Sequence, residues 1–121
     1  MNEQVSWIFE LSVTDGELNN LKKLMKEMVA STEANEPGTV AYEWSISGDG
    51  KQCHIHERYR DSAASVAHLT SFKTNYAARL MSMGVATRFV VYGNPDSSVH
   101  EALEGFGAVY MSPIGGFIRK I

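Results

Sequence analysis

A single cysteine, Cys53, stands in a chain of 121 residues, so no intrachain disulfide can brace the fold. No apolar run reaches the length that crosses a bilayer, which argues against a membrane-spanning helix. Lysine and arginine form no block, and the formal charge is −3, so the basic footprint of a nucleic-acid binder is absent. The first residues, MNEQVSW, show neither the basic stretch nor the apolar core of a secretory signal, and a cytoplasmic location is the expectation. The glycine groups GDG, GFG and IGG lie outside the strand-to-helix setting that aims amides at a phosphate, so they read as turn glycines. There is no internal repeat and no low-complexity tract.

What is present suits one domain with its own core: 44% hydrophobic and 21% charged residues. Residues 5–13, VSWIFELSV, alternate Val5, Trp7, Phe9, Leu11 and Val13 against less apolar partners, the period of a strand with one buried face. Thr14 precedes Glu17 by three, a capping-box spacing, and Leu18, Leu21, Met25, Met28 and Val29 follow at helical intervals. The helix is expected to stop before NEPG, where Pro37 disfavours helical geometry at Glu36. TVAYEWSIS and QCHIHERYR flank GDGK, and the Asp49-Gly50 turn predicts a hairpin. Its register pairs Ile46 with Cys53, Trp44 with Ile55, Tyr42 with Glu57 and Val40 with Tyr59, all on one face.

Asp61 or Ser62 can cap a second helical stretch, either continuous or split in two, with Ala64, His68, Phe72 and Tyr76 four apart. VATRFVVYG reads as a fourth strand. SSVHEALEG reads as a short helix with Ser98 and Glu101 in capping-box positions, and a fifth strand is expected with Phe106, Ala108 and Tyr110 on one side. The order β-α-β-β-α-β is that of a ferredoxin-like α+β sandwich, helices on one face of an antiparallel sheet. Residues 1–95 form its core and 96–121 an extension on the same domain. The other sheet face mixes Ile8, Val90 and Tyr92 with Glu43, His54, His56 and Arg58, and no helix is left to cover it, so a homodimer is expected.

The stretch CHIHERYRDSAASVAHL concentrates the chemistry. His54 and His56 point the same way and, with Glu43, form either a weak three-ligand metal set or a surface or interface pair. Cys53 reads as a small buried hydrophobe. Glu57 and His68 both face the strand-helix junction among Tyr42, Trp44, Tyr59, Phe72 and Tyr76. Burial raises the pKa of a carboxylic acid and lowers that of histidine, moving each toward neutral pH. They form either a satisfied polar pair in the core or a proton-transfer site.

The string Glu36, Gly38, Tyr42, hairpin, Glu57, Tyr59, Asp61, Ala64, His68, Ser71 and Phe72 resembles the antibiotic biosynthesis monooxygenase family, over roughly residues 5–95. The resemblance implies a dimeric α+β barrel that oxygenates phenols, quinols or polycyclic aromatics, often with neither metal nor flavin. His68 and Glu57 stand where that family has a helix histidine and a strand glutamate. The haem-degrading branch has an asparagine on the first strand, and a tryptophan and a histidine on the second helix. Ser6 and Trp7 stand on this first strand, the second helix has no tryptophan, and Tyr76 falls near that histidine's place. The expectation is therefore a cofactor-independent monooxygenase with dioxygen and a small aromatic phenol or quinol as substrates. His68 would be the base, Glu57 its orienting partner or relay, and Tyr42 or Tyr59 the donor to the oxyanion. Trp7, Trp44, Tyr59, Phe72 and Tyr76 would line the substrate slot. The same pocket also suits a binding protein for a small aromatic molecule without turnover, or oxygen-independent acid/base chemistry.

Overall fold

The computed structural model describes residues 3–121. Along the chain run β1 (Val5–Val13), α1 (Leu18–Asn35), β2 (Thr39–Ile46), β3 (Gln52–Tyr59), α2 (Ser62–Asn75), α3 (Ala77–Met83), β4 (Gly84–Gly93), α4 (Ser97–Ala102) and β5 (Val109–Met111). The five strands lie in the order β2-β3-β1-β4-β5, with antiparallel pairs throughout except the parallel β4-β5 pair. This is the expected ferredoxin-like α+β sandwich. Among the described residues no helix is long and apolar enough to cross a membrane.

The alternation in β1 decides where the core sits. Val5, Trp7, Leu11 and Val13 are buried and Phe9 partly so, and helices pack over this side in two clusters. One gathers Val5, Trp7, Tyr59, Phe89 and Val91 under Leu69 of α2 and Val99 of α4. The other gathers Leu11, Val13, Cys53 and Ile55 under Leu21, Leu24 and Met28 of α1 and Leu80 of α3. The α1 stripe runs Leu21, Leu24, Met28, Thr32, so Leu24 takes the buried place expected of Met25.

Local signals hold where the backbone alone sets them and fail where a competing partner exists. The hairpin pairs Ile46 with Cys53, Trp44 with Ile55 and Tyr42 with Glu57 as expected. Beyond that the register slips: Tyr59 pairs with Thr39, and Val40 is left half exposed at an irregularity. Thr14 and Glu17 form a backbone turn, Glu17 N–H donating to the Thr14 carbonyl, and no side chain caps α1. Asp61 does cap α2, accepting from Ala64 N–H at 2.8 Å. The second stretch is indeed two helices, broken at Tyr76. Asp96, not Ser98, caps α4, accepting from the backbone of Ser98 and Val99. The fifth strand keeps only Val109–Met111, so Phe106 and Ala108 precede it and pack instead against the first cluster. Val90, on the helix-free side of the sheet, is 3% exposed and so already covered within one chain.

One close approach positions everything that follows. A Cβ on Gly38 would stand 2.6 Å from the Ala64 Cβ, so the 36–38 turn lies directly on the first turn of α2. Arg60 N–H donates to the Gly38 carbonyl at 2.9 Å and ties the same turn to the end of β3. Glu36 is thereby held above the helix face that carries Ala64 and, one turn on, His68. We predict that Gly38→Ala destabilises the fold by about 1–3 kcal/mol, the usual cost of overpacking, as read by urea unfolding. The same variant lowers the His68 pKa, measured by NMR titration, because the turn must lift Glu36 away.

Candidate active site

Three elements deliver one charged cluster. Period-two alternation turns Glu57 and Tyr59 of β3 toward the core, the hairpin register sets Tyr42 opposite Glu57, and α2 lowers His68 onto them. His68 is 5% exposed, Glu57 7% and Tyr59 0%, so the chemistry lies under the helices rather than on the surface. Glu36 Oε1 stands 2.7 Å from His68 Nδ1, and Glu57 Oε1 3.1 Å from Nε2. The Tyr59 hydroxyl donates to Glu57 Oε1, and Thr39 Oγ1 donates to Glu36 Oε1 at 3.3 Å.

A neutral imidazole has one N–H and can serve only one of two carboxylates; an imidazolium serves both. Burial pulls the His68 pKa down, as the sequence suggested, but the hydrogen bonds and charges of Glu36 and Glu57 outweigh it and carry the group up to about 9. At neutral pH His68 is therefore a cation with both ring nitrogens engaged. This corrects the expectation of a histidine tuned downward by burial. Burial, with the Glu57 charge next, also drives the Tyr42 and Tyr59 phenols upward, so both keep their protons. Tyr42 stands edge-on to the His68 ring at 5.2 Å. Burial pushes the Cys53 thiol up to about 11, which leaves it a poor nucleophile.

Beside the cluster lies a cavity of about 40 Å³ between sheet and helices. Trp7, Tyr42, Glu57, His68 and Phe72 line it, so five of the residues singled out from sequence meet at one place. Trp44, Tyr59 and Tyr76 do not line it. The Tyr59 hydroxyl supports Glu57, while Trp44 and Tyr76 pack against the second cluster. The remaining wall, which includes Phe9, Met28, Phe89 and Phe106, follows from packing. Glu36 is the member of the charged cluster that sequence reasoning left at the helix stop. Its partner is 32 positions away, and no periodicity links a turn residue to a helix that distant.

His54 and His56 occupy the opposite side of the sheet. His54 Nε2 lies 3.4 Å from Glu10 Oε1, and His56 is exposed. Among the described residues no group of three His, Cys, Asp or Glu side chains is gathered closely enough to hold a metal ion.

Comparison with known proteins agrees with this architecture. The family model for antibiotic biosynthesis monooxygenase matches residues 5–79. Among solved structures, MupZ from Pseudomonas fluorescens superposes with a TM-score of 0.82 at 20% identity, covering 98% of this chain and 91% of that one. Rv0793 from Mycobacterium tuberculosis gives 0.66 at 24% identity, with 78% and 98% covered. SnoaB from Streptomyces nogalater, a cofactor-independent oxygenase, gives 0.65 at 14% identity, with 78% and 96% covered. At these identities the likeness is one of fold. No curated protein matches the sequence.

The clamp on His68 makes stability depend on pH with a definite sign. The folded pKa of about 9 lies above the ordinary 6.5, so the contribution is fully present below about pH 6.5 and is lost as pH rises through 9. A shift of that size corresponds to roughly 3 kcal/mol. Glu36→Gln is expected to bring the His68 pKa down by at least one unit in an NMR titration, and to flatten the alkaline loss of stability.

Proposed function

The chain belongs to the antibiotic biosynthesis monooxygenase family, and from that premise we propose that it is a cofactor-independent monooxygenase oxidising a small aromatic phenol or quinol with dioxygen. The observation that carries the reading is the cavity wall: Glu57 and His68 are its only charged groups, set among aromatic and aliphatic side chains. A flat ring finds apolar walls there, and its hydroxyl finds a carboxylate. SnoaB, which shares the fold, is a cofactor-independent oxygenase.

Such a reaction needs no electron carrier, because the deprotonated substrate supplies the electrons. The phenolate adds dioxygen at a ring carbon. The O–O bond then breaks, one oxygen remaining as the new carbonyl of a quinone and the other leaving as water with the two hydrogens lost by the ring carbon and the hydroxyl. Glu57 is assigned the phenolic proton, since both nitrogens of His68 are engaged as donors. The His68 cation offsets the phenolate charge and supplies the proton required as the O–O bond breaks. Tyr42, kept protonated by burial and by the Glu57 charge, donates to the phenolate oxygen. Glu36 positions and charges His68.

One observation favours a second reading. A histidine with a pKa of about 9 is an acid at neutral pH, and it faces two carboxylates. That pair can protonate one atom of a substrate and deprotonate another with no oxygen consumed, which is isomerase or lyase chemistry. Conversion under nitrogen would distinguish it, and binding without any conversion would mark a ligand-binding protein.

Assembly as a homodimer belongs to the same proposal. No helix covers the far side of the sheet, where Tyr92 is 40% exposed beside Arg58 and His56. Sedimentation is expected to show a dimer at micromolar concentration, weakened by Tyr92→Asp; a monomer would overturn it. Val90, already covered within one chain, reports on folding instead.

Oxygen consumption with a panel of quinols and naphthols tests the chemistry. Glu57→Gln and His68→Ala are each expected to reduce turnover roughly a hundredfold or more, whereas His54→Ala and His56→Ala leave it unchanged. Full turnover in a folded Glu57→Gln protein would remove that carboxylate from the mechanism.

A further inference from the structure

The cavity is too small for the ligand its chemistry suits. About 40 Å³ accommodates two or three water-sized groups, whereas an engineered cavity known to bind benzene measures about 150 Å³. A wall must move before a ring can enter, and the twelve lining residues differ in their freedom to do so. Eleven stand on helices or strands of the packed sandwich. Phe106 alone stands on a turn, in the segment between α4 and β5.

That turn has room around it. Gly105 and Gly107 flank Phe106 with φ of +86° and +67°, a backbone region that residues with a Cβ rarely adopt. Neither has any atom within 4 Å of the place a Cβ would take, so both flanks of the turn are open. Phe106 is half buried and packs at the edge of the first cluster. Its ring lies 6.1 Å from that of Phe89, its N–H donates to the Leu103 carbonyl at 3.0 Å, and the Lys73 ammonium stands 5.1 Å from its ring centroid. Lys73 Nζ also donates to the Ala102 carbonyl at 2.7 Å, joining α2 to the end of α4 behind the ring. The site's charged groups are clamped on several sides, whereas Phe106 packs against the first cluster from its partly exposed edge, with the exposed Lys73 on its outer side.

We infer that Phe106 is the movable wall of the cavity and the residue that sets how large a fused aromatic ring system the site accepts. The inference rests on the proposed binding of a flat aromatic in this cavity and goes beyond it by assigning size selection to the segment after α4, outside the family-matched residues 5–79. With the ring swung out, its own volume becomes part of the slot.

The test is equilibrium binding of phenol, 1-naphthol and 1-anthrol to the full chain, followed by tryptophan fluorescence, in the native protein and in Phe106→Ala, Phe106→Leu and Phe106→Trp. Trimming the ring to Ala is expected to improve 1-anthrol affinity relative to phenol at least tenfold, with Leu intermediate. Enlarging it to Trp should weaken 1-naphthol at least tenfold while phenol changes little. Should Phe106→Ala fail to fold, the Leu and Trp variants still order the series. An anthrol-to-phenol ratio that ignores residue 106 in folded variants overturns the inference alone. Absence of binding by every protein overturns it together with the aromatic-ligand reading. A ratio that moves as expected without oxygen uptake supports size selection by Phe106 and removes the oxygenase chemistry.

Discussion

An imidazolium held between two carboxylates under a layer of helices is the constraint on which this molecule depends. Taking charges out of water costs several kcal/mol each, and only close, well-directed partners repay it. His68 meets Glu36 on one nitrogen and Glu57 on the other, with Tyr59 and Thr39 donating to the carboxylates in turn. These five residues arrive from four parts of the fold, so the cluster reports the relative placement of β2, β3, α2 and the turn after α1. The bare backbone at Gly38 is what lets that turn lie on α2 closely enough for Glu36 to reach.

The same constraint sorts the chemical roles. A histidine with both nitrogens engaged, and a pKa near 9, starts a reaction as a cation and acid. In the proposed reaction the carboxylate on the cavity wall is then the proton acceptor, and the phenol of Tyr42 the donor. Packing assigns the aromatic residues just as firmly. Trp7 and Phe72 meet the cavity, Tyr59 braces Glu57, and Trp44 and Tyr76 fill the neighbouring cluster.

The two sides of the sheet carry different obligations. The helix-covered side carries the site, and Phe106 lines it from a turn. The open side carries Tyr92, His56 and Arg58, and beyond β5 the chain exposes Ile114, Phe117 and Ile118. Apolar surface of that kind is costly in water, which is the physical basis for the proposed second subunit on the outer side of the sheet.

Much of this was legible in the sequence because it is local or periodic. Alternation in β1 named the core face, Asp49-Gly50 set the hairpin, and that register alone placed Glu57 opposite Tyr42. Helical spacing brought His68 and Phe72 to the same side. What lay beyond reach depended on partners far apart in the chain. Glu36 reads as a helix stop until the turn is laid on α2, and Phe106 reads as a strand residue until β5 proves too short to include it. The sign of the His68 shift needed tertiary structure most of all. Sequence shows that a histidine will be buried, which pulls its pKa down, but only the fold decides whether two carboxylates stand within hydrogen-bond distance to push it up, because electrostatic balance depends on separation in space rather than along the chain.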